Sequence, residues 1–531
     1  MPEIILILAV IILICLSLNK VSSKLGMPML LAFIILGMLF GSDGLLKIQF
    51  DNYALSEQIC SFALIFIMFY GGFGTNWNTA KPVVVESVLL STLGVILTAA
   101  TTGLFSYFIL NFDFLESMLI GAVISSTDAA SVFSILRSKQ LNLKNNTASM
   151  LEMESGSNDP CSYMLTVIIL SVMSGQSSGG QLAYMIFSQI LYGVICGVVV
   201  ALLSNFILSK VKFATDGFDT IFVFSMVLVS YAGAAVIGGN GYLSTYIAGI
   251  ILGNKSSYNK KALVHFFDGI TGLMQMLIFF LLGLLSFPSQ LPQILLSALA
   301  IALFLTFVSR PLSVFTILTP FKCPVNQQLL VSWAGLRGAA SIVFAIVATV
   351  SPAYMKHDVF HIVFFIVLFS ISIQGSLISF MAKKLHMIDN NSNVMKTFND
   401  YSEEMPVQFV QLSIAENHPW INCKIQDISL LPELLLVLIL RGKEQVIPNG
   451  DTSILAGDVI VLSALSMEDE VIGCLTEVVV DKDNAWLGKS LSEITFGANK
   501  LVVVVKHNDQ FMIPNGSTVV EENDILVISQ L

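Results

Sequence analysis

The chain has 531 residues, 55% of them hydrophobic and only 12% charged, with a net charge of −10 and a mean hydropathy of +0.82. That balance excludes an ordinary soluble domain and points to a membrane protein. Up to residue 386, 18 Lys and Arg stand against 15 Asp and Glu; beyond it 8 stand against 21, giving +3 and −13. The acidic tail argues against recognition of nucleic acid or anionic lipid by bulk charge.

Thirteen apolar segments are expected before residue 386, at roughly 3–19, 26–41, 54–73, 83–108, 114–136, 147–173, 181–209, 217–238, 242–253, 262–286, 291–309, 326–351 and 357–382. Most approach the about 20 residues that a helix needs to cross a bilayer. The first, Ile4 to Leu18, has no basic stretch before it and no small-residue cleavage site after it. It reads as a retained helix and not as a cleaved signal peptide. The connecting Lys and Arg sort fifteen to two. Lys20, Lys81, Lys144, Lys210, Arg310 and Lys384 are among the fifteen, and only Lys47 and Lys356 lie on the other side. By the positive-inside rule the rich side is cytoplasmic, with the N-terminus outside and the tail inside the cytoplasmic membrane. Seven Cys occur singly and six His form no ligand-spaced cluster, so neither a disulfide framework nor a zinc site is expected.

Three apolar segments carry charge where a charge is expensive. At hydrocarbon depth one costs from about 2.5 kcal/mol on insertion scales to roughly 10 or more in simulations, so each marks a functional residue by default. The fifth segment holds Gly121 to Ser131 with Thr127 and Asp128 among small and hydroxyl residues, material suited to a tightly packed or locally unwound helix whose freed carbonyls bind a cation. The sixth holds Glu154-Ser155-Gly156-Ser157-Asn158-Asp159-Pro160. Helical spacing sets Glu154 with Asn158 and Ser155 with Asp159 on adjacent stripes of one face. Pro160 lacks an N–H, which frees the carbonyl of Gly156 beside Asp159. The twelfth segment holds Trp333 to Ser341 around Arg337, and an Arg cannot shed its proton, so it needs a carboxylate or water. Glu154 is the expected partner of Arg337, leaving Asp128 and Asp159 to exchange a cation for protons. Carboxylate, hydroxyl and carbonyl oxygens suit alkali cations and exclude soft metals, and a desolvated carboxylate lets protons compete for the same place.

A lone Asp in such a place is often a polar contact between helices; the combined set of Thr127, Asp128, Glu154, Ser155, Asn158, Asp159 and Arg337 points to a buried ion site. Packing or turns explain the Gly pairs at 71–72, 179–180 and 238–239, and Glu86 and Glu116 read as interfacial. Glu152 lies nearer the cytoplasmic end of its helix, and Asp268 either faces a cavity or sits at a cytoplasmic helix end.

Through Ser126-Thr127-Asp128-Ala129-Ala130, Glu154 to Pro160, and Gly335-Leu336-Arg337-Gly338, residues 1–386 closely resemble the cation:proton antiporter-1 family, specifically its NhaP-type exchangers. The resemblance implies an all-α polytopic membrane protein of the NhaA-like fold, with inverted repeats and two broken helices, the fifth and twelfth, crossing near mid-membrane. It implies that Thr127, Asp128, Ser155 and Asp159 are the K+/Na+ ligands, and that Glu154 and Arg337 form a structural ion pair. Asn158 stands where electrogenic relatives have a second Asp, which implies electroneutral exchange. Ala129-Ala130 replaces the Pro that many members carry after the Asp.

The tail repeats itself at an offset of 66 residues. Trp420 matches Trp486, Ile447-Pro448-Asn449-Gly450 matches Ile513-Pro514-Asn515-Gly516, and 407–465 shares 13 identities over 59 positions with 473–531. Each copy predicts a strand (409–414; 475–480), a short helix after the Trp, a strand (434–440; 501–506), an Asn-Gly turn and a last strand, together a pseudo-symmetric α+β unit. Each resembles the TrkA-C module, the C-terminal half of the RCK regulatory domains of potassium channels and antiporters. The expected division is a 1–386 exchanger, a 387–404 linker, and repeats at 405–470 and 471–531. No GxGxxG occurs after residue 387, so NAD or ATP binding of that kind is unsupported. Related TrkA-C modules bind cyclic di-AMP, which makes a regulatory nucleotide the one ligand the resemblance suggests for the tail; no other cofactor is expected.

A potassium channel lacks its filter here, since no TVGYG-like run occurs. An intramembrane aspartyl protease has no use for the Arg or for the Ser, Thr and Asn set. A secondary antiporter of K+ or Na+ against H+, with no catalytic residues, a homodimer in the bilayer and no nucleic-acid partner, explains every intramembrane charge. A Na+-selective exchanger with a structural tail is the alternative.

Overall fold

In the computed structural model the chain divides into two compact units, Met1–Ser402 and Glu403–Leu531. The structure describes residues 6, 9–17, 29–138, 141–175, 178–211, 217–255, 260–389, 407–415, 418–428, 434–442, 444–465, 474–481, 484, 486–494, 500–507, 510–512 and 514–530. The expected first segment is described only at 6 and 9–17, where it is helical, and the expected linker lies outside the described residues beyond Asp389.

The first unit is built of helices: α1 (Met29–Phe40), α2 (Tyr53–Gly74), α3 (Lys81–Leu110), α4 (Phe114–Val123), α5 (Ala129–Ser138), α6 (Thr147–Met173), α7 (Gly179–Lys210), α8 (Phe218–Val236), α9 (Gly241–Gly253), α10 (Lys260–Leu285), α11 (Pro288–Leu318), α12 (Val325–Trp333), α13 (Ala339–Val350) and α14 (Val359–Lys384). Among the described residues seven are long and apolar enough to cross a membrane: α2, α3, α7, α8, α10, α11 and α14. Helices packed in lipid gain little from hydrophobicity against one another, so small residues and close approach matter most. α1 and α10 meet at Gly37 and Gly283, where a Cβ on either glycine would strike the other helix's backbone.

The expected fifth and twelfth segments are each two half-helices. α4 and α5 are separated by non-helical 124–128, and α12 and α13 by 334–338. The first break is Ile-Ser-Ser-Thr-Asp, and short hydroxyl and carboxyl side chains compete with the helical backbone for its own hydrogen bonds. Asp128 then starts α5 as an N-cap, its Oδ1 accepting from the Ser131 N–H at 3.2 Å. In the second break, Gly335 and Gly338 flank Leu336 and Arg337, and Gly is among the weakest helix formers. α6, by contrast, runs helical straight through Pro160, whose carbonyl accepts from Asn240 Nδ2 at 2.9 Å. Three long helices contain π turns, at Leu90–Gly94 in α3, Leu305–Ser309 in α11 and Ser370–Gly375 in α14. Such turns often mark functional sites.

The second unit holds two four-stranded antiparallel sheets, β1 (Val407–Ser413), β2 (Leu435–Arg441), β3 (Glu444–Val446) and β4 (Val459–Leu465) in the order β1-β4-β2-β3, then β5 (Cys474–Val479), β6 (Lys500–His507), β7 (Gln510–Met512) and β8 (Ile525–Gln530) in the order β5-β8-β6-β7. The 66-residue offset holds down to irregularities. The β2–β4 bulge between Leu436 and Leu438 recurs between Val502 and Val504, and the bridge Lys424–Ser453 recurs as Ser490–Val519. The buried set Ile414, Leu436, Ile439, Ile454, Ile460 and Leu462 recurs as Val480, Val502, Val505, Val520, Leu526 and Ile528. Two details differ from expectation. The short helix after each Trp is only a 3-10 turn, Ile425–Asp427 and Leu491–Glu493, and a short strand, β3 or β7, precedes each Ile-Pro-Asn-Gly run.

Candidate ion-binding site

The two breaks meet each other directly. The Asp128 N–H donates to the Leu336 carbonyl at 2.8 Å, and the hydroxyls of Ser126 and Ser341 lie 3.1 Å apart. α6 runs alongside and holds the first break open. Ser155 Oγ donates to the Thr127 carbonyl at 2.8 Å and accepts from the Ala129 N–H at 2.9 Å. Asn158 Nδ2 donates to Thr127 Oγ1 at 2.6 Å. Backbone groups that a continuous helix would satisfy are thus met by side chains, which lets a break persist at membrane depth. Gly338 faces Asp128 so closely that a Cβ there would fall inside contact distance of the carboxylate.

Asp128 and Asp159 lie within electrostatic reach of each other. Both line a cavity of about 550 Å³, together with Thr127 and Ser155. Asp128 Oδ2 accepts from Ser131 Oγ at 2.6 Å, while Asp159 Oδ1 is buried with no hydrogen-bond partner. Asn158 is fully buried and stands behind this lining, with its Oδ1 also lacking a partner. Four of the five expected ion-site residues therefore border one cavity, and the fifth braces them. Glu152 and Asp268, whose places the sequence left open, border it too. Among the described residues no group of three or more His, Cys, Asp and Glu is arranged to hold a metal ion.

The expected ion pair is different in the structure. Glu154 is paired with Arg310, whose Nη2 lies 2.6 Å from its Oε1, both side chains buried. Arg337, only 1% exposed, instead donates through Nη1 to the carbonyls of Ser125 at 2.8 Å and Ser126 at 2.6 Å. It thereby places a cation on the carbonyls that follow the C-terminal end of α4, where a helix presents negative charge. Its own N–H donates to Ser370 Oγ at 3.1 Å, and Ser370 donates to Gln374 Oε1 at 2.9 Å, within the π turn of α14. Arg337 remains within electrostatic range of both Glu154 and Arg310.

Charge sorting places Arg310 among the cytoplasmic loop cations, and the structure corrects this. It lies inside α11, directly after the π turn, and that helix continues to Leu318. The signal is present in the sequence: residues 311–318 are themselves apolar enough to extend the 291–309 run, so the Arg interrupts one helix and does not end it. Glu116, expected at an interface, is 2% exposed and accepts from the backbone and ring of His357 at 2.7 and 3.0 Å.

Known proteins resemble this chain along most of its length. The family description "Sodium/hydrogen exchanger, transmembrane" matches residues 7–384, and "TrkA-C domain" matches 409–466 and 475–529. The chain is 34% identical over 444 residues to the K(+)/H(+) antiporter NhaP of Alkalimonas amylolytica, covering 83% of this chain and 77% of that protein. It is 32% identical over 451 residues to the K(+)/H(+) antiporter NhaP2 of Shewanella sp. (strain ANA-3), covering 83% and 78%. The solved structure of the sodium proton antiporter MjNhaP1 from Methanocaldococcus jannaschii shares the fold, with a TM-score of 0.63 at 23% identity over 72% of this chain and 98% of that one.

Proposed function

The chain belongs to the sodium/hydrogen exchanger family as a cation:proton antiporter with two TrkA-C domains, and on that premise we propose that it exchanges K+ for H+, one for one, at Asp128 and Asp159. The observation that carries this reading is the pair of carboxylates at the crossing of two helix breaks, sharing one cavity, with an Asp159 oxygen left unpartnered. The fixed cations are engaged elsewhere, Arg310 by Glu154 and Arg337 by the carbonyls of Ser125 and Ser126. A mobile cation or a proton at Asp159 would supply the partner that its Oδ1 lacks. Asn158 adds no charge beside them and donates to Thr127, which favours electroneutral exchange. Potassium rests on the names of the curated relatives; sodium is the alternative, favoured by the sodium proton antiporter whose fold this chain shares. We read the unit as thirteen spans in two inverted repeats, one break in each, forming a homodimer in the cytoplasmic membrane with the N-terminus outside and the tail inside. In everted vesicles carrying a pH dye, added K+ should release protons, Na+ should do so less, and Asp159→Ala should abolish both responses. A larger response to Na+ would reassign the substrate.

We further read the tail as a regulator of exchange. What supports this is the exit from α14. Leu143 and Ile388 form an antiparallel bridge, the Lys144 N–H donates to the Met387 carbonyl at 2.9 Å, and the Asp389 N–H donates to the Asn142 carbonyl at 3.0 Å. The chain leading to the tail is therefore stitched to the connection between α5 and α6, the helices carrying Asp128 and Asp159. A small ligand, with cyclic di-AMP suggested by the TrkA-C resemblance, would act by binding active and inactive states unequally. Ending the chain at Asp389 should leave exchange intact and change its dependence on pH, ion or nucleotide. An unchanged profile under every condition would make the tail structural only.

A further inference from the structure

The cavity that reaches Asp128 and Asp159 has a wall the exchange mechanism does not use. α10 contributes Asp268, Thr271 and Gln275 to its lining, and α2 contributes Tyr70. The three α10 residues follow a spacing of three and then four, so they share one helical stripe, and that stripe faces the cavity. Tyr70 Oη donates to Asp268 Oδ1 at 3.0 Å, which fixes the carboxylate while leaving Oδ2 to other contacts. Thr271 is 7% exposed, and its Oγ1 has no hydrogen-bond partner. A buried hydroxyl left unpaired is unfavourable, and something in the cavity is needed to meet it.

We propose that Asp268 and Thr271, with the amide oxygen of Gln275, form a second station for a monovalent cation on the α10 wall of the cavity. A carboxylate, a hydroxyl and an amide carbonyl are hard oxygen donors, the set that suits an alkali ion and rejects soft metals. The station rests on the exchange reading above and deepens it. A cation leaving water would first exchange part of its hydration for these oxygens and then move to Asp159, so the final desolvation is divided into two steps. Glu152 on α6 also lines the cavity. Fixed in this way, the second station governs how readily a cation is captured. The turnover step stays with Asp128 and Asp159.

The consequence is a separation of kinetic effects. In full-length protein reconstituted into liposomes, with Rb+ as the transported probe, Asp268→Asn should raise the cation KM about ten-fold and keep the maximal rate within about two-fold. Thr271→Val, nearly isosteric but lacking the oxygen, should raise KM about three-fold, and Asp268→Glu should restore most of the affinity. The pH profile at saturating Rb+ should stay that of the wild type. A merely structural role would lower the maximal rate or the folded fraction and leave KM alone. If Asp268→Asn does not fold, Thr271→Val carries the test. An active wild type that Asp159→Asn silences, but whose KM is unchanged by Asp268→Asn and Thr271→Val, overturns the second station alone. A wild type with no cation-driven proton flux overturns the exchange reading, and the station with it.

Discussion

The break at 124–128 ends in a carboxylate, the break at 334–338 carries a guanidinium, and each interrupts one apolar helix for five residues. Their hydrogen bonds run both ways: the Asp128 N–H of the first break donates to the Leu336 carbonyl of the second. Arg337 of the second break donates to carbonyls of the first, whereas the first break receives its remaining support from Ser155 and Asn158 on α6. The second break supplies the protein's own cation to the first, and the first ends in the Asp that the proposed exchange would use. On the proposed reading the site combines two kinds of charge, one locked and one exchangeable. α6 repeats the contrast within itself. Glu154 is locked to Arg310, and Asp159, five residues on, is left with an oxygen free of hydrogen bonds.

The largest expected effect comes from removing the exchangeable side. Asp159→Asn and Asp128→Asn keep the volume and remove the charge, so cation-driven proton flux should vanish while the folded protein still elutes and melts as a single species. Flux retained in either variant would move the exchange site elsewhere.

Removing the locked side should cost stability instead. Arg337→Ala leaves the carbonyls of Ser125 and Ser126 buried without their donor, at roughly 1–3 kcal/mol for each unsatisfied group. Arg310→Ala or Glu154→Ala strands one member of a buried ion pair, which costs roughly 3–5 kcal/mol. Because the two touch, their double variant should be no worse than the worse single, a coupling at least as large as the smaller single loss. Glu154→Ala combined with Arg337→Ala should be closer to additive. Melting curves of the two double variants compare these partners directly, and strong coupling only in the Glu154–Arg337 pair would reverse the assignment.

Much of this was readable in the sequence for a physical reason. A charge inside an apolar run is costly enough to announce itself, so Asp128, Glu154, Asp159 and Arg337 stand out. Their partners were less accessible. Arg310 lies next to a π turn in a 31-residue helix, and a rule that assigns cations between apolar runs to loops hid it. Spacing along α6 shows that Glu154 faces inward but says nothing of which distant helix meets it. The same limit applies to Asp268, whose cavity-facing position depends on α2 lying against α10. In the tail the 66-residue repeat predicted nearly every strand, because both copies keep the same core positions, while the 3-10 turns and the short strands β3 and β7 depend on backbone geometry that composition does not specify.

A smaller effect should come from the contact between the breaks. Gly338→Ala places a methyl group against the Asp128 carboxylate. Overpacking of this kind costs about 1–3 kcal/mol where neighbours cannot move, and here the neighbour is a carboxylate that the proposed exchange uses. The apparent cation affinity should fall more than the melting temperature does. A loss of stability with unchanged affinity would mean that Asp128 relaxes away without consequence for the ion.

The tail restates the contrast between a locked and a titratable cation, and the smallest predicted effect lies there. In the first repeat, buried Asp458 is held by Arg441 through two bonds of 2.9 and 2.8 Å. At the same place in the second, buried Asp524 is held by His507 Nδ1 at 2.6 Å, with Glu521 3.3 Å from His507 Nε2. Both carboxylates also accept a backbone N–H that closes the preceding turn, from Leu455 at 2.9 Å and from Glu521 at 2.8 Å. Arg441 holds the Asp458 carboxyl below the usual carboxylate range; its contribution is present above about pH 4 and is lost only as pH falls through that lowered value. The hydrogen bond to Asp524, helped by the charges of Asp524 and Glu521, raises the His507 imidazole above its ordinary value near 6.5. That contribution has the opposite sign. It is fully present below about pH 6.5 and is lost as pH rises through the raised value. The two repeats should therefore respond differently to alkaline pH. In the full-length protein, amide exchange around Glu521 and in β6 and β8, corrected for the intrinsic rate, should quicken as pH rises from about 6 to about 9, while the matching amides around Leu455 and in β2 and β4 hold steady. His507→Arg should make the second repeat behave like the first. Equal loss of protection in both repeats, or a slope that His507→Arg leaves unchanged, would mean that the histidine is not what sets the difference.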